Sequence, residues 1–476
     1  MINFFKKKKF IKEKKTKSLS EYFPWIDTID DDYILLCSQD INNRINEIKS
    51  LKKYFQSNLG IENLKNLKNS LIANGYPIKA AETELNFFLE FFEEQTIQNL
   101  LFNESNGFHL HKKDNQFNPK IKLKKDFGII RTSIGKVFIV GSSNTLLPVL
   151  TSVLLSYIAG NITVVQLSSL HTNCIPDFFN QLPLAGSRYI HFTKLYRENE
   201  NDLNVIKLLV SSINWNVINL WGGNDSLSYY NNIISKNNYR PRIVNMEPLT
   251  GALLIQHEYF VKNLEKNINN LSSSISLMGQ QLCSSPTIGF LISSKHENET
   301  KEVIEKLINN LEENYIPNDF DEFNSIKLDR MINIARDNGS RVFTSSLYSN
   351  NICVIESEND SVFKKYDSTH LLNIHERKNF IELIKVSSFE KIQQVLNEIF
   401  NNYSYKETKK IQTILSFGDK NFDVEVHKLA SVIGAYRVID SNYVLRRHPM
   451  EAVDNYNLFS EFTNIISVVG SKTENL

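Results

Sequence analysis

The sequence predicts an α/β protein: a helical N-terminal region, a parallel doubly wound sheet, and a second α/β domain after it. Three observations carry this expectation. Between residues 127 and 169 an apolar run, GIIRTSIGKVFIVGSS, is followed by a helical stretch, TLLPVLTSVLLSYIAG, and another apolar run, NITVVQLSS. The alternation then repeats, with short β-branched runs separated by helix-length segments, as parallel strands require because each connection must cross back over the sheet. Finally, 476 residues with 41% hydrophobic and 22% charged content are enough for two or three cores of ordinary globular composition.

Each element has its own signal. The opening, MINFFKKKKFIKEKKTK, is basic and lacks the uninterrupted apolar core of a signal peptide. Its cluster from Lys6 to Lys17 reads as a solvated terminus, with an electrostatic dock for an acidic partner as the sharper alternative. From residue 41 to 104 the text is helical, since NRINEIKSLKKYFQ and ETELNFFLEFFEEQTIQNLL repeat apolar residues at three- and four-residue steps. IHFT at 190–193 reads as a strand, DLNVIKLLVSSI as a helix, and VINLWGG at 217–223 as a strand and turn. After Glu247, GALLI, TIGFLIS and NICVIES read as strands, while KEVIEKLINNLEENY and FEKIQQVLNEIFNNY read as amphipathic helices. The resulting division is a basic tail and helical region over 1–110, a first α/β domain over 111–247, a second α/β domain over 248–450 and a terminal segment over 451–476.

Composition removes several function classes. Lys plus Arg, 54, nearly cancels Asp plus Glu, 53, so no global field draws the chain to nucleic acid or an acidic membrane surface. The longest apolar run, Leu146 to Gly160, is interrupted by Pro148, Thr151, Ser152, Ser156 and Tyr157 and is too short to span a bilayer. The four cysteines, Cys37, Cys174, Cys283 and Cys353, have neither zinc-type spacing nor the density of a disulfide framework. Free thiols in a cytoplasmic protein are the expectation.

Four stretches carry candidate chemistry. Val140-Gly141-Ser142-Ser143-Asn144 ends a strand just before a helix, where open α/β sheets bind ligands. An Asn there can donate to a developing oxyanion, although Asn and Ser are also common turn and cap residues. Trp221-Gly222-Gly223 also follows a strand; two glycines let backbone N–H groups approach a phosphate at a helix start, or simply make a turn. Glu247 lies between apolar segments, either as a general base whose pKa burial raises or as a boundary loop residue. Cys283, in Met278-Gly279-Gln280-Gln281-Leu282-Cys283-Ser284-Ser285-Pro286, sits in a polar turn ahead of a strand, whereas most single cysteines are small core hydrophobes. Cys37, Cys174 and Cys353 are assigned to packing. Arg240 and Arg242 are candidate phosphate contacts, and Arg446-Arg447-His448 and Asp454-Asn455-Tyr456 read as surface features.

The order of these stretches resembles the aldehyde dehydrogenase superfamily and, more narrowly, the LuxC type of acyl-CoA reductase, the fatty acid reductase family of bacterial luminescence. GQQLCSSP is similar to that family's Gln-rich turn, nucleophile and Ser-Pro. IVGSSN with the helix ending at Gly160-Asn161 resembles the superfamily's oxyanion Asn and Gly-Asn pair, and NLWGGNDSL its turn beside the cofactor. The separation of Glu247 from Cys283, 283 − 247 = 36 residues, is close to superfamily spacing. Two departures stand out: Gln166 occupies the place of the usual ribose-contacting Lys, and Pro248-Leu249 replaces a Gly-Gly after the glutamate.

The resemblance implies an aldehyde-dehydrogenase-like fold with a Rossmann-type cofactor domain. It implies reduction of an acyl thioester to an aldehyde by NADPH or NADH, with Cys283 as nucleophile, Asn144 as oxyanion donor and Glu247 assisting proton movement. Gly141, Ser142, Gln166, Ser168, Trp221, Gly222 and Gly223 would contact the cofactor, with His171 near the adenosine ribose. The implied partners are acyl-CoA, or an acyl-carrier protein or acyl-transferring enzyme, and a homo-oligomer. Two alternatives stay open. An oxidative aldehyde dehydrogenase would release acid, and a non-catalytic scaffold of the same fold would leave Cys283 unreactive.

Overall fold

The alternation of apolar runs and helices is realised as two separate, mostly parallel sheets. The computed structural model describes residues 18–93, 95–99, 110–111, 116–117, 120–124, 127–142, 144–247, 249–280, 282–293, 298–314, 322–345, 352–363, 380–401, 411–444, 451 and 453–469. The Lys6 to Lys17 cluster, Ser143, Pro248, Gln281 and Arg446-Arg447-His448 lie outside them.

Among the described residues a short helix (Leu19–Tyr22) comes first, followed by four longer ones: α1 (Ile29–Cys37), α2 (Ile41–Gln56), α3 (Asn58–Ala73) and α4 (Ile78–Glu90). Two strands follow, β1 (Lys120–Lys124) and β2 (Phe127–Ser133). The first parallel sheet is built from β3 (Lys136–Val140), α5 (Leu147–Ala159), β4 (Ile162–Gln166), α6 (Cys174–Asn180), β5 (Ile190–Thr193), α7 (Glu200–Ser212), β6 (Val217–Trp221), α8 (Asn224–Ile234) and β7 (Arg242–Met246). Its order is β5-β4-β3-β6-β7, all parallel. Strand periodicity explains its two cores. Val137 and Ile139 face α5 and the N-terminal helices, while Phe138 and Val140 face Val205, Ile206 and Leu209 of α7.

The second sheet takes β8 (Thr250–Gln256), β9 (Pro286–Ile292), β10 (Arg341–Thr344), β11 (Cys353–Glu358), β12 (Phe380–Val386), β13 (Ile411–Phe417) and β14 (Arg437–Asp440). The order is β10-β11-β12-β9-β8-β13-β14, and only the β10–β11 pair is antiparallel. Helices cover both faces, among them α9 (Leu264–Ser276) and α10 (Asn298–Asn314) on one, and α11 (Glu322–Asp337), α12 (Phe389–Asn401) and α13 (Lys420–Ile433) on the other. A last strand, β15 (Thr463–Val469), returns to pair with β2 in a three-stranded antiparallel sheet, order β15-β2-β1.

One expectation needs correction here. The run from 127 to 140, read as one strand, is two strands in different sheets. Gly135, at φ 125°, turns the chain between them, and a Cβ there would fall 2.3 Å from the Asn216 side-chain oxygen. Asn161 fixes that turn: its Oδ1 accepts from the N–H groups of Ile134 and Gly135 at 2.9 and 3.0 Å, and its Nδ2 donates to the Phe462 carbonyl. The Gly160-Asn161 pair is therefore a structural joint. Gly160, at φ 86°, ends α5 in the left-handed conformation, and buried Arg44 donates to the Ile158 carbonyl beside it.

The second sheet buries a carboxylate with a testable consequence. Glu382, on the interior strand β12, is fully buried and accepts from Ser357, Ser361 and the Val362 N–H. Burial pushes its pKa from 4.5 up to about 7, against the pull of those donors. A carboxyl whose folded pKa is raised holds its proton more tightly folded than unfolded. Its contribution to stability is complete below about 4.5 and is lost as pH rises through about 7. Glu382→Gln is therefore expected to gain stability relative to the unsubstituted protein between pH 5 and pH 8. Denaturation midpoints at the two values check this, and an unchanged difference would refute it.

Candidate active site

The sheet order of the first domain reverses between β3 and β6, and the loops leaving those two strands lie at the carboxyl edge, where open α/β sheets bind ligands. Register aligns the sequence-predicted residues along that edge. Val140 pairs with both Leu220 and Gln166, and Trp221 pairs with Met246. Gly141, Gln166, Trp221 and Glu247 accordingly leave the sheet at nearly one level. The Gly141 N–H donates to the Gln166 carbonyl at 2.9 Å. A Cβ on Gly141 would lie 3.1 Å from Val149 and 3.3 Å from that carbonyl, so α5 and β4 both crowd this position.

The two loops are built differently. In the first, the Ser142 hydroxyl donates to the Thr145 carbonyl at 2.7 Å, which curls the chain around half-buried Asn144. In the second, Trp221 is anchored by its indole N–H on the Asn219 side chain at 2.6 Å. Gly222 and Gly223 then lead into α8, with Gly223 as a cap that offers no side chain. A Cβ on Gly222 would meet Ser226 Cβ at 2.9 Å, so a tight start to α8 demands glycine there.

The nucleophile candidate approaches from the second sheet. β7 ends at Met246 and β8 begins at Thr250, so the carboxyl edge of the first sheet runs directly into the amino edge of the second. Cys283 lies on the turn before β9, which starts beside β8. A Cβ on Gly251 would sit 2.4 Å from the Ser284 carbonyl oxygen, so this turn rests on the backbone of β8. Leu282 packs into the same apolar cluster as Leu146, Leu147, Trp221, Met246 and Tyr456. The cysteine turn, the Asn144 loop and the Trp221 turn thus share one core, and Cys283 itself is half-buried and outside any disulfide.

Three residues before the cysteine the backbone is strained. Met278, Gly279 and Gln280 all have left-handed φ values, 56°, 57° and 64°, a conformation that costs roughly 1–2 kcal/mol for each residue bearing a Cβ. Strain of this kind persists only where the surroundings over-determine it. Gln280 supplies that constraint. Fully buried, it donates to the Pro286 and Phe380 carbonyls at 2.7 and 2.6 Å and accepts from the Phe380 N–H at 2.9 Å. One side chain thereby ties both ends of the cysteine turn to β12.

Several sequence expectations change. Glu247 is exposed, so the burial expected to tune it is not found. Gln166 is buried, and its amide is engaged by the protein: it donates to the Leu195 carbonyl at 3.1 Å and accepts from the Tyr230 hydroxyl at 2.6 Å. Its second amide hydrogen and second oxygen lone pair are left for any ribose contact, on a side chain that is 5% exposed. Ser168 is half-buried and meets His171 Nδ1 at 3.1 Å. Burial holds His171 down to about 4, which keeps it neutral. Arg242 sits at the opposite edge of the sheet, donating to the Glu461 and Thr463 carbonyls, and is a tie for the C-terminal segment. Cys174 and Cys353 are buried, with thiols pushed up by burial to about 11 and about 12. Cys37 is exposed beside the Ser133 hydroxyl rather than packed in a core.

Asp454-Asn455-Tyr456, read in the sequence as a surface feature and so missed as part of this region, reaches it, and Asp454 is buried. Asp454 and Asn455, at φ 48° and 70°, form a tight turn closed by Val453 and Tyr456. The turn brings the Tyr456 ring into the shared cluster, with its hydroxyl near the Asn245 backbone N–H and the Glu247 carboxylate. Its signal was present: adjacent Asp and Asn are the residues that tolerate left-handed backbone. Glu84 was missed as well, although an acid on the apolar face of α4, between Ala81 and Phe88, marks a buried carboxylate that must have partners. Among the described residues no group of three His, Cys, Asp or Glu side chains could hold a metal ion, and no helix is long and apolar enough to cross a membrane.

Solved structures with this architecture are aldehyde dehydrogenases. One from Bartonella henselae superposes with a TM-score of 0.67 at 12% identity, covering 95% of this chain and 92% of that one. A mutant aldehyde dehydrogenase C from Pseudomonas syringae, complexed with NAD+ and octanal, gives 0.67 at 14% identity over 96% and 90%. Glyceraldehyde-3-phosphate dehydrogenase GapN from Methanocaldococcus jannaschii, complexed with NADP, gives 0.64 at 17% over 96% and 95%. At these identities the likeness shows the fold. No curated protein gives a significant sequence match. The model of the acyl-CoA reductase (LuxC) family matches residues 36–441, so the chain belongs to that family and is an enzyme of the acyl and aldehyde oxidoreductase type.

Proposed function

We propose that this enzyme reduces a thioester-activated acyl group to an aldehyde with NADPH, through an acyl-enzyme on Cys283. The observation that supports it most is the convergence of the Cys283 turn, the Asn144 loop and the Trp221-Gly222-Gly223 turn on one core at the junction of the two sheets. On this reading residues 111–247 hold the cofactor and 248–450 carry the nucleophile. The start of α8 suits a pyrophosphate: glycines bring backbone N–H groups close, and the helix dipole favours negative charge. The start of α5 does not suit one, because the Glu84 carboxylate already accepts its N–H groups.

The chemistry assigned to the chain runs as follows. The Cys283 thiolate attacks the thioester carbonyl, with Asn144 and a backbone N–H donating to the oxygen that becomes negative. Collapse breaks the carbon–sulfur bond to the departing thiol, which leaves with a proton, and the acyl group remains on Cys283. A nicotinamide held by residues 111–247 would supply the hydride that reduces this acyl carbon. The oxygen, held by the same donors, takes a proton, and the resulting thiohemiacetal expels aldehyde and restores the thiol. Glu247, exposed and near Tyr456, would exchange that proton with solvent.

Cofactor choice has its own candidate residue. Lys194 follows Thr193, which pairs with Gln166, so its exposed ammonium stands one strand away from the expected adenosine ribose. A 2′-phosphate there would gain a charge-assisted hydrogen bond, which contributes about 1.5–3 kcal/mol. Lys194→Glu is expected to weaken NADPH binding roughly 10- to 100-fold on that basis and to leave NADH nearly unchanged. Calorimetry with both cofactors checks it, and equal loss of both would remove Lys194 from the site.

The reaction itself is tested by supplying acyl-CoA esters of several lengths with NADPH and quantifying thiol, aldehyde and acid. Aldehyde formed in step with thiol release supports the proposal. Acid made from aldehyde and NADP+, with no reduction of any thioester, would replace it with the oxidative reading.

A further inference from the structure

We propose that Glu84, together with Tyr76, is a positioning residue for Asn144: the pair grips the loop from beneath and fixes where its oxyanion donor points. This rests on the proposed role of Asn144. The grip itself is direct. One oxygen of the Glu84 carboxylate accepts from the backbone N–H groups of Leu146 and Leu147 at 2.7 and 3.0 Å. The Tyr76 hydroxyl accepts from the same Leu146 N–H at 3.1 Å and hydrogen-bonds the carboxylate. Both side chains are buried, with Tyr76 2% and Glu84 8% exposed.

These contacts serve a loop that lacks a cap of its own. Leu146 precedes the first turn of α5 and has no side chain able to accept from its N–H groups, a place usually taken by Ser, Thr, Asp or Asn. The acceptor comes instead from α4, 62 residues earlier in the chain. On the other side of Asn144, Ser142 is tied to Thr145 by its hydroxyl, and the His171 ring lies against the Ser142 carbonyl and 6.1 Å from the Tyr76 ring. Asn144 is thus the middle of a short arch whose two feet are fixed by buried groups. Burial raises the Glu84 pKa from 4.5 to about 7, so the charge is fully present only above that value, and the measurements belong at about pH 8; there each of the two N–H bonds is shorter and stronger than one to a neutral acceptor. Removing its charge should loosen one foot while leaving the fold intact.

The test uses Glu84→Gln, which keeps the shape, in full-length protein. Four measurements are made. Transfer of acyl groups from acyl-CoA to Cys283 without cofactor is expected to fall about tenfold, since displacement of a reacting group by a fraction of an ångström has effects of this order or larger. The same substitution in an Asn144→Ala background is expected to cause no further fall, because the group it positions is gone. Alkylation of Cys283 by iodoacetamide, which develops no carbonyl oxyanion, is expected to keep its rate. Hydrogen exchange of the amides at 144–147 should quicken. An unchanged transfer rate, an equal fall in the Asn144→Ala background, or alkylation slowed to the same extent would overturn the inference. Unaltered exchange would show that Glu84 does not hold the loop, whatever the enzyme does. Failure of the unsubstituted protein to transfer any acyl group would instead sink the proposed function.

Discussion

Cys283→Ala is expected to abolish both the acyl adduct and aldehyde formation while leaving the fold in place. A thiol acting covalently must carry the acyl group before hydride arrives. Acyl-CoA added without cofactor should therefore leave a mass increase at Cys283 and at no other cysteine. The surroundings of the four thiols support that selectivity. Cys174 and Cys353 are buried, and their thiols are pushed up to about 11 and about 12, so little thiolate forms at neutral pH. Cys37 is exposed but lies beside Ser133 and Tyr33, on the opposite side of the first sheet's strands from the carboxyl-edge loops. The turn around Cys283 is secured by Gln280 and by contact of Ser284 with Gly251, so loss of one sulfur atom should cost little stability. Cys283→Ser should be far slower than the parent, because a hydroxyl is hardly ionised without a paired base. Peptide mapping that found the adduct on Cys37, Cys174 or Cys353, or full turnover by Cys283→Ala, would show that the nucleophile lies elsewhere.

Asn144→Ala should slow acyl transfer by roughly 10²–10³, the usual loss when one preorganised oxyanion donor is removed. Thioester binding should change little, since the donor works on charge that develops only after attack. The distinction is measurable as a fall in kcat with KM nearly constant. Asn144→Asp makes a sharper comparison, because it keeps the shape and places a negative charge where negative charge must form. It should be slower than the alanine variant. Transfer by Asn144→Ala at the parental rate would leave the loop as a mere turn, with its Asn and Ser serving as the common turn residues they also are.

How much of this was legible before folding differs between elements and side chains. Strands 190–193 and 217–221 and the helices beginning near 200, 298 and 389 were visible because their signals are local. Apolar spacing and β-branched content act over a few residues, and both match the structure. The order of the motifs also identified the family, since GQQLCSSP, IVGSSN and WGG are contiguous in the chain. The run at 127–140 misled because two strands in different sheets have the same composition, and only Gly135 marks the break.

By itself, then, the sequence determined the fold class, the family and the short segments in which chemistry is expected. Local hydrogen bonding and burial periodicity are written within each segment, so no distant residue is needed to read them. Tertiary structure alone decided which groups surround those segments. Whether Glu247 is buried depends on what packs over it, and it is exposed. Gln166 has its amide taken by Leu195 and Tyr230, 29 and 64 residues away. Gln280 clamps the cysteine turn through Phe380, 100 residues on, and Glu84 caps a helix that starts 62 residues after it. Such pairs follow from the crossing of separate elements, because a buried polar group must be satisfied by whatever backbone the fold brings against it, and spacing along the chain does not encode that meeting.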